Sequence, residues 1–182
     1  HENSSAASDV YKRQIISSDI GNNCAIGNAY PTFEEGRKYL APGLFGPCGY
    51  GFPAICGAKI AQPDVPVVGF AGDGAFGISM NEMVSVGRDE WPPITMIIFR
   101  NYQWGAEKRN TTLWFDDNFV GTELDTDVTY AGIAQQCGVK GVQVDGMDAL
   151  AEALDKAIEA QMKDKVTTFI EVLLNQELGE PF

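Results

Sequence analysis

The chain has 182 residues, 45% of them hydrophobic and 20 of them glycine, enough for one well-buried domain. Its 13 basic and 25 acidic side chains give a net charge of -12, which argues against a nucleic-acid surface. Four cysteines without metal-type C-x-x-C spacing, and a sole histidine at His1, argue against a zinc site or a histidine-based triad, and no apolar run approaches the ~20 residues of a membrane span, so the cytosol is the expected compartment.

Residues 1–14, His1 to Gln14, are polar, small and without period. They read as a non-native or disordered leader, such as a translated adaptor remnant, and are set aside. From Ile15 onward strands and helices alternate. Ile15 to Asp19 reads as a strand and Asn22 to about Tyr30 as a helix. Tyr50 to Ala61 reads as a second helix, whose Ala54, Gly57, Ala58 and Ala61 favour close packing. The apolar run Pro66 to Phe70 feeds Gly72-Asp73-Gly74-Ala75-Phe76, and the stretch from Asp73 to Gly77 is expected as a loop. Ser79-Met80-Asn81-Glu82 has the form of a capping box, predicting a helix from Met80 to about Arg88 that Trp91-Pro92-Pro93 stops. Ile94 to Phe99 is the next strand-like run. Helices near Ile133 and Leu154 then alternate with strands near Val142 and Phe169. The helix at Leu154 carries an apolar stripe of Met147, Leu150, Ala151, Leu154, Ile158 and Met162. This is the pattern of an α/β, doubly wound, mostly parallel sheet with helices on both faces, occupying residues 15–182 as one domain.

Two of the strand-like runs end in side chains of one chemical kind. The run before Gly72 ends at Asp73, and the run before Arg100 ends, 28 positions further, at Asn101. In a parallel sheet both emerge at the C-terminal edge, where open α/β sheets bind ligands. The glycines beside Asp73 let backbone amides approach an anion, and a carboxylate with a carboxamide supplies the hard oxygens that Mg²⁺ held by a diphosphate prefers. A plainer reading makes Asp73 a turn aspartate that caps a helix.

The Gly72-Asp73-Gly74 and Asn101 pair, with its spacing and strand context, resembles the metal-diphosphate signature of thiamine diphosphate (ThDP) enzymes. That resemblance implies Asp73, the Asn101 side chain and the Gln103 carbonyl as Mg²⁺ ligands, with Gly72, Gly74, Ala75, Trp104 and Gly105 around the cofactor. Gly21, Asn22 and Asn23, in the first strand-helix turn, stand where decarboxylase-like members place a glycine and two polar residues against the diphosphate. Gly43 to Pro53 is similar to the glycine-rich segment that holds the aminopyrimidine. The resemblance implies a carbonyl contact from Gly46, and Cys48 below the bend of the cofactor in place of a bulkier Met, Leu or Ile. Cys48 also reads as a small packing residue.

The strings Asn101 to Asn110, Leu113 to Leu124 and Asn175 to Phe182 resemble the sulfoacetaldehyde acetyltransferase family, which converts sulfoacetaldehyde and phosphate to acetyl phosphate and sulfite in bacterial taurine and sulfonate degradation. The resemblance implies that ThDP supplies the carbanion chemistry. Lys108 and Arg109 are candidates for holding the two anionic substrates, or else cations on a solvated helix face. No residue here reads as the pyrimidine-binding domain, whose glutamate activates the cofactor in the superfamily. The chain therefore reads as the C-terminal, diphosphate-binding domain of a homodimer or homotetramer. Phe45, Tyr50, Phe52 and Trp104 are expected on an apolar face left open by the missing domain. Two alternatives stand beside this one: another ThDP enzyme, such as an acetolactate synthase or a 2-oxoacid decarboxylase, and a non-catalytic cofactor-binding or interaction fragment.

Overall fold

The computed structural model describes residues 13–33 and 36–177; the leader assigned to residues 1–14 lies outside them up to Lys12. Six parallel strands form one sheet: β1 (Ile15–Ser18), β2 (Tyr39–Leu40), β3 (Val67–Gly72), β4 (Thr95–Arg100), β5 (Lys140–Asp145) and β6 (Thr168–Leu173), in the order β2-β1-β3-β4-β6-β5. The helices are α1 (Asn22–Ala29), α2 (Gly51–Ala61), α3 (Asp73–Ser79), α4 (Met83–Val86), α5 (Gly105–Trp114), α6 (Tyr130–Gln136) and α7 (Met147–Glu159). Among the described residues no helix is long and apolar enough to cross a membrane.

The apolar runs of β3 and β4 are buried on both sides of the sheet, as central strands of a parallel sheet must be. Their period of two splits the core. Val67, Ala71, Met96, Ile98 and Phe169 join Phe52, Ile55, Phe76, Met83 and Tyr130 on one face. Val68, Ile97, Ile170 and Val172 join Ala157 and Ile158 on the other. On the first face Phe76 meets Phe52, Tyr130 and Phe169 with ring centroids 5.3 to 5.8 Å apart. On the second, Gln161 just beyond α7 acts as a substitute peptide group. It accepts from the Val67 amide at 2.8 Å and donates to the Val67 carbonyl at 2.8 Å and Thr95 Oγ1 at 2.9 Å, all fully buried.

Several expectations need correction. The stretch from Asp73 is not a loop, because α3 begins at Asp73 itself, directly off β3. Ser79 caps nothing; it is buried with an unpartnered hydroxyl, and a 3₁₀ turn at Met80–Glu82 leads into the short α4. The stripe of α7 runs through Leu150, Ala153, Leu154, Ala157 and Ile158, while Met147 is 78% exposed and Ala151 faces solvent. Phe52 is a fully buried core residue rather than part of an open face, whereas Phe45 is 93% exposed. Gly57 makes no close approach, since a Cβ there would meet nothing within 4 Å.

Close approach occurs instead at Gly141 of β5, where a Cβ would stand 2.0 Å from the Ala131 carbonyl oxygen and 2.9 Å from Ala131 Cα of α6. Backbone cannot yield as a side chain tip can. Gly141→Ala should therefore cost on the order of 2–4 kcal/mol of stability. Gly57→Ala, on an open helix face, should gain up to ~1 kcal/mol. Urea unfolding of the two variants checks the contrast, and equal midpoints would contradict this packing of α6 on β5.

Candidate cofactor site

Because all strands are parallel, β1, β3 and β4 deliver their last residues to one edge. The chain runs from β1 out to β2 on one side and then back across to β3 and β4, so the connections part between β1 and β3. Such a switch point leaves a crevice at the C-terminal edge. A cavity of about 890 Å³ opens there. Gly21, Asn22, Asn23, Gly46, Cys48, Gly72, Asp73, Gly74, Ala75, Asn101, Gln103, Trp104 and Gly105 all line it, with Ile26, Tyr30, Phe70, Phe99, Leu174 and Asn175 among the other walls. Lys108 and Arg109 do not line it.

Three helices, α1, α3 and α5, start at this cavity, and none has a side-chain hydrogen bond from its N-cap residue. The positive dipole ends of the longer two, α1 and α5, suit an anion. Two glycines are required by backbone shape: Gly21 at φ 105° and ψ −161°, a region nearly closed to other residues, and Gly46 at φ 60°. Amide side chains gather over the floor. An atom added at Gly72 would stand 3.1 Å from Asn23 Nδ2, and one at Gly105 3.8 Å from Asn22 Nδ2.

Asp73 is 1% exposed, and its two oxygens have separate tasks. Oδ2 accepts from the Tyr102 amide at 2.7 Å and faces Arg100 at 3.5 Å. Oδ1 accepts from the Gly74 amide at 3.0 Å. Burial pushes the Asp73 carboxyl above its usual range, opposed by Tyr102 N–H, Arg100 and Gly74 N–H. Tyr102 reaches it only by adopting φ 60°, a strained conformation for a non-glycine residue. One end of the Asn101 carboxamide stands 3.2 Å from Asp73 Oδ1 and 3.0 Å from the Gln103 carbonyl oxygen. With nitrogen at that end the amide donates to both. With oxygen there, three oxygens converge. Neighbouring ligands of an octahedral Mg²⁺ with bonds of ~2.1 Å lie about 3 Å apart, which is the spacing of this Asn101 atom from each of the other two oxygens. Among the described residues no group of three His, Cys, Asp or Glu side chains could hold a metal; this donor set is carboxylate, carboxamide and backbone carbonyl.

Supporting residues lie behind the cavity wall. Asp19 is fully buried at the end of β1 and accepts from Ile20 N at 2.9 Å, Gly49 N at 3.0 Å and Gly51 N at 2.7 Å, tying the Gly46–Gly51 wall to the sheet. The Tyr130 hydroxyl donates to the Asp73 carbonyl at 3.0 Å. Lys108 donates to Gln103 Oε1 at 3.0 Å, forms an ion pair with Glu123 and stands 5.1 Å from the Phe119 ring centroid, so its charge is spent inside the domain. Arg109 follows it on α5, half-buried. Cys48 is exposed at the cavity mouth, its thiol pushed up by burial and by Asp19 and Glu107. Sequence reasoning missed Asp19 and Tyr130 and gave Arg100 no role. A carboxylate or guanidinium inside an otherwise apolar run is the signal that marks such residues, because it must find a buried partner.

A twisted parallel sheet with an anion cradle and an oxygen donor set at its switch point defines a diphosphate-binding domain. Residues 19–172 match the family model of the thiamine pyrophosphate enzyme C-terminal TPP binding domain, and the chain belongs to that family. It is 76% identical over 171 residues to a probable sulfoacetaldehyde acetyltransferase of Rhizobium meliloti, covering 94% of this chain and 29% of that protein. A sulfoacetaldehyde acetyltransferase of Roseovarius nubinhibens is 72% identical over 171 residues, covering 94% of this chain and 28% of that protein. The chain thus spans less than a third of the length of either relative. Its fold is shared by a ThDP-dependent 4-hydroxybenzoylformate decarboxylase of Rhodococcus jostii RHA1, with a TM-score of 0.75 at 23% identity over 91% of this chain and 30% of that one.

Asp19→Ala would leave three backbone N–H groups, one buried and two partly buried, without their acceptor. The variant should lose on the order of 2–4 kcal/mol and bind ThDP more weakly. Hydrogen exchange over residues 46–51, read beside a thermal melt, checks this; unchanged protection there would contradict the assigned tie.

Proposed function

We propose that this chain is the diphosphate-binding domain of a sulfoacetaldehyde acetyltransferase, holding ThDP through Mg²⁺ while the full-length enzyme makes acetyl phosphate and sulfite from sulfoacetaldehyde and phosphate. The convergence of Asp73 Oδ1, the Asn101 carboxamide and the Gln103 carbonyl carries the metal reading. The two relatives named for that reaction, each above 70% identical to this chain, support the choice of substrate. Bound ThDP supplies a thiazolium carbon able to reverse the polarity of an aldehyde.

The chain's own residues bind and orient. The Asp73 carboxylate, the Asn101 oxygen turned inward and the Gln103 carbonyl would ligate Mg²⁺ between protein and diphosphate. The N-termini of α1 and α5, with Asn22 and Asn23, would take the remaining phosphate oxygens. Gly46 would offer its carbonyl to the aminopyrimidine, and Cys48 would lie below the bend of the cofactor. The activating glutamate belongs to polypeptide outside this chain, and a homodimer or homotetramer in the cytoplasm is the assembly this reading implies. Lys108 and Arg109 remain the proposed anion-binding pair, although Lys108 would have to release Glu123 to take that part.

With the upstream length of its relatives restored, the protein should consume sulfoacetaldehyde only when phosphate is present, giving sulfite and acetyl phosphate in equal amounts. Asp73→Ala should nearly abolish Mg²⁺-dependent ThDP binding by calorimetry, and Asn101→Ala should weaken it strongly. Unchanged cofactor affinity in both variants would overturn the metal reading. Pyruvate consumption without sulfite release from sulfoacetaldehyde would favour an acetolactate synthase instead, and no turnover at all a non-catalytic fragment.

A further inference from the structure

The strand Thr95–Arg100 is apolar from Met96 to Phe99, and its last residue, Arg100, is the largest of the fully buried side chains among the described residues, 2% exposed. The Arg100 guanidinium is enclosed, with Nη2 hydrogen-bonded and Nε buried without a hydrogen-bond partner. It donates to the Asp125 carbonyl at 2.5 Å and the Val128 carbonyl at 2.8 Å. Its carbon lies 4.5 Å from the Tyr102 ring centroid and 4.9 Å from that of Tyr130. Two carboxylates flank it at 3.5 Å, Glu171 on β6 and Asp73 on α3. Glu171 is fixed in turn by Ala131 N–H at 3.1 Å and Gln143 Nε2 at 3.3 Å. A cation so enclosed cannot swing away from Asp73.

That geometry divides the Asp73 carboxylate. Oδ2 is bonded by Tyr102 N–H and faced by the guanidinium at 3.5 Å, which leaves Oδ1, bonded to the Gly74 amide, on the side where the Asn101 carboxamide and the Gln103 carbonyl converge. A ligand with one available oxygen suits a small cation of near-ideal octahedral geometry. Calcium takes six to eight oxygens at longer distance and commonly uses carboxylates in bidentate fashion. Resting on the metal reading above, we propose that Arg100 is the metal-selecting residue of this site: its fixed charge 3.5 Å from Oδ2, beside the Tyr102 N–H that bonds that oxygen, keeps a metal ion off Oδ2, enforces monodentate ligation and favours Mg²⁺ over Ca²⁺ as the partner of ThDP. Arg100 touches neither metal nor cofactor, so it is a positioning residue. Its fork is the relevant feature, because a lysine ammonium cannot keep both carbonyls and both carboxylates at once.

The test uses the full-length protein, stripped of divalent ions by a chelator, with ThDP affinity measured by calorimetry at saturating Mg²⁺ and, separately, at saturating Ca²⁺. The wild type should bind ThDP at least about tenfold more tightly with Mg²⁺. In Arg100→Gln that ratio should fall toward one, chiefly through tighter binding with Ca²⁺, and Arg100→Lys should lie between. Glu171→Gln, which frees the guanidinium toward Asp73, should keep the wild-type ratio. An Arg100→Gln protein with a cooperative melt and an unchanged ratio overturns the proposal. Where that variant does not accumulate, an unchanged ratio in Arg100→Lys does the same. ThDP binding by the wild type that is indifferent to any divalent ion would sink the metal reading itself, a separate outcome from retained selectivity in the variants.

Discussion

A carboxylate buried at the end of a central strand is the constraint around which this domain is arranged. Asp73 is 1% exposed, and burial alone would drive it toward its neutral form. The fold answers with groups drawn from three different segments. Tyr102 enters a strained backbone conformation to donate its amide, and Arg100 brings a positive charge from the adjacent strand. Tyr130, from the start of α6, fixes the Asp73 carbonyl and so the first turn of α3. Each of these would be a liability in isolation: strain, a buried cation, a hydroxyl among core aromatics. Together they hold one oxygen of the carboxylate and leave the other facing the cavity.

The fold was legible because its central strands announce themselves. Val67 to Phe70 and Ile94 to Phe99 are apolar without alternation, which a strand covered on both faces requires and an edge strand does not. The polar ends of those strands located the cavity for the same reason, since a parallel sheet sends them all to one edge. What escaped notice lacked such a period. The two residues of β2 are too few to show one. The α3 helix, Asp-Gly-Ala-Phe-Gly-Ile-Ser, has two glycines in its first five positions, so local propensity favours a loop. It is helical because Gly74 packs under the Trp104 ring and Phe76 is buried against Phe52, Phe169 and Tyr130, contacts that a single-segment reading cannot see. Similarly, the capping-box letters at Ser79 to Glu82 fell in mid-turn between two helices, where Ser79 is already buried.

The charged supports were legible only in pairs. Glu171 in the middle of Thr168–Leu173 and Arg100 at the end of Thr95–Arg100 each interrupt an apolar strand, and either alone suggests an error in the strand assignment. The two strands are neighbours, with Arg100 opposite Leu173 and Ile98 opposite Glu171. A pairing of that kind follows from sheet order, which the sequence does not contain. The same is true of Lys108. Its position next to the metal loop suggests an anion site, while its pairing with Glu123, which returns through an antiparallel bridge at Gln103, is a contact that sequence order does not reveal.

Gln103 shows how the site reaches beyond the cavity. Its carbonyl oxygen stands beside the Asn101 carboxamide, while its side chain donates to the Gln176 carbonyl at 2.8 Å and accepts from Lys108. Gln176 also lies within 3.4 Å of Glu123, so the segment after β6 and the loop around Glu123 both lean on a residue whose backbone faces the donor set. Buried polar networks of this kind are strong only when complete, because a half-satisfied member costs more than an apolar replacement. A cation that draws the Asn101 oxygen inward gives the Gln103 carbonyl a positive partner and leaves its side chain bonds intact. The wall formed by Leu174 and Asn175 is therefore held twice, by the Leu174 amide on the Arg100 carbonyl at 2.9 Å where the sheet ends, and by the Gln103 side chain on the Gln176 carbonyl just beyond.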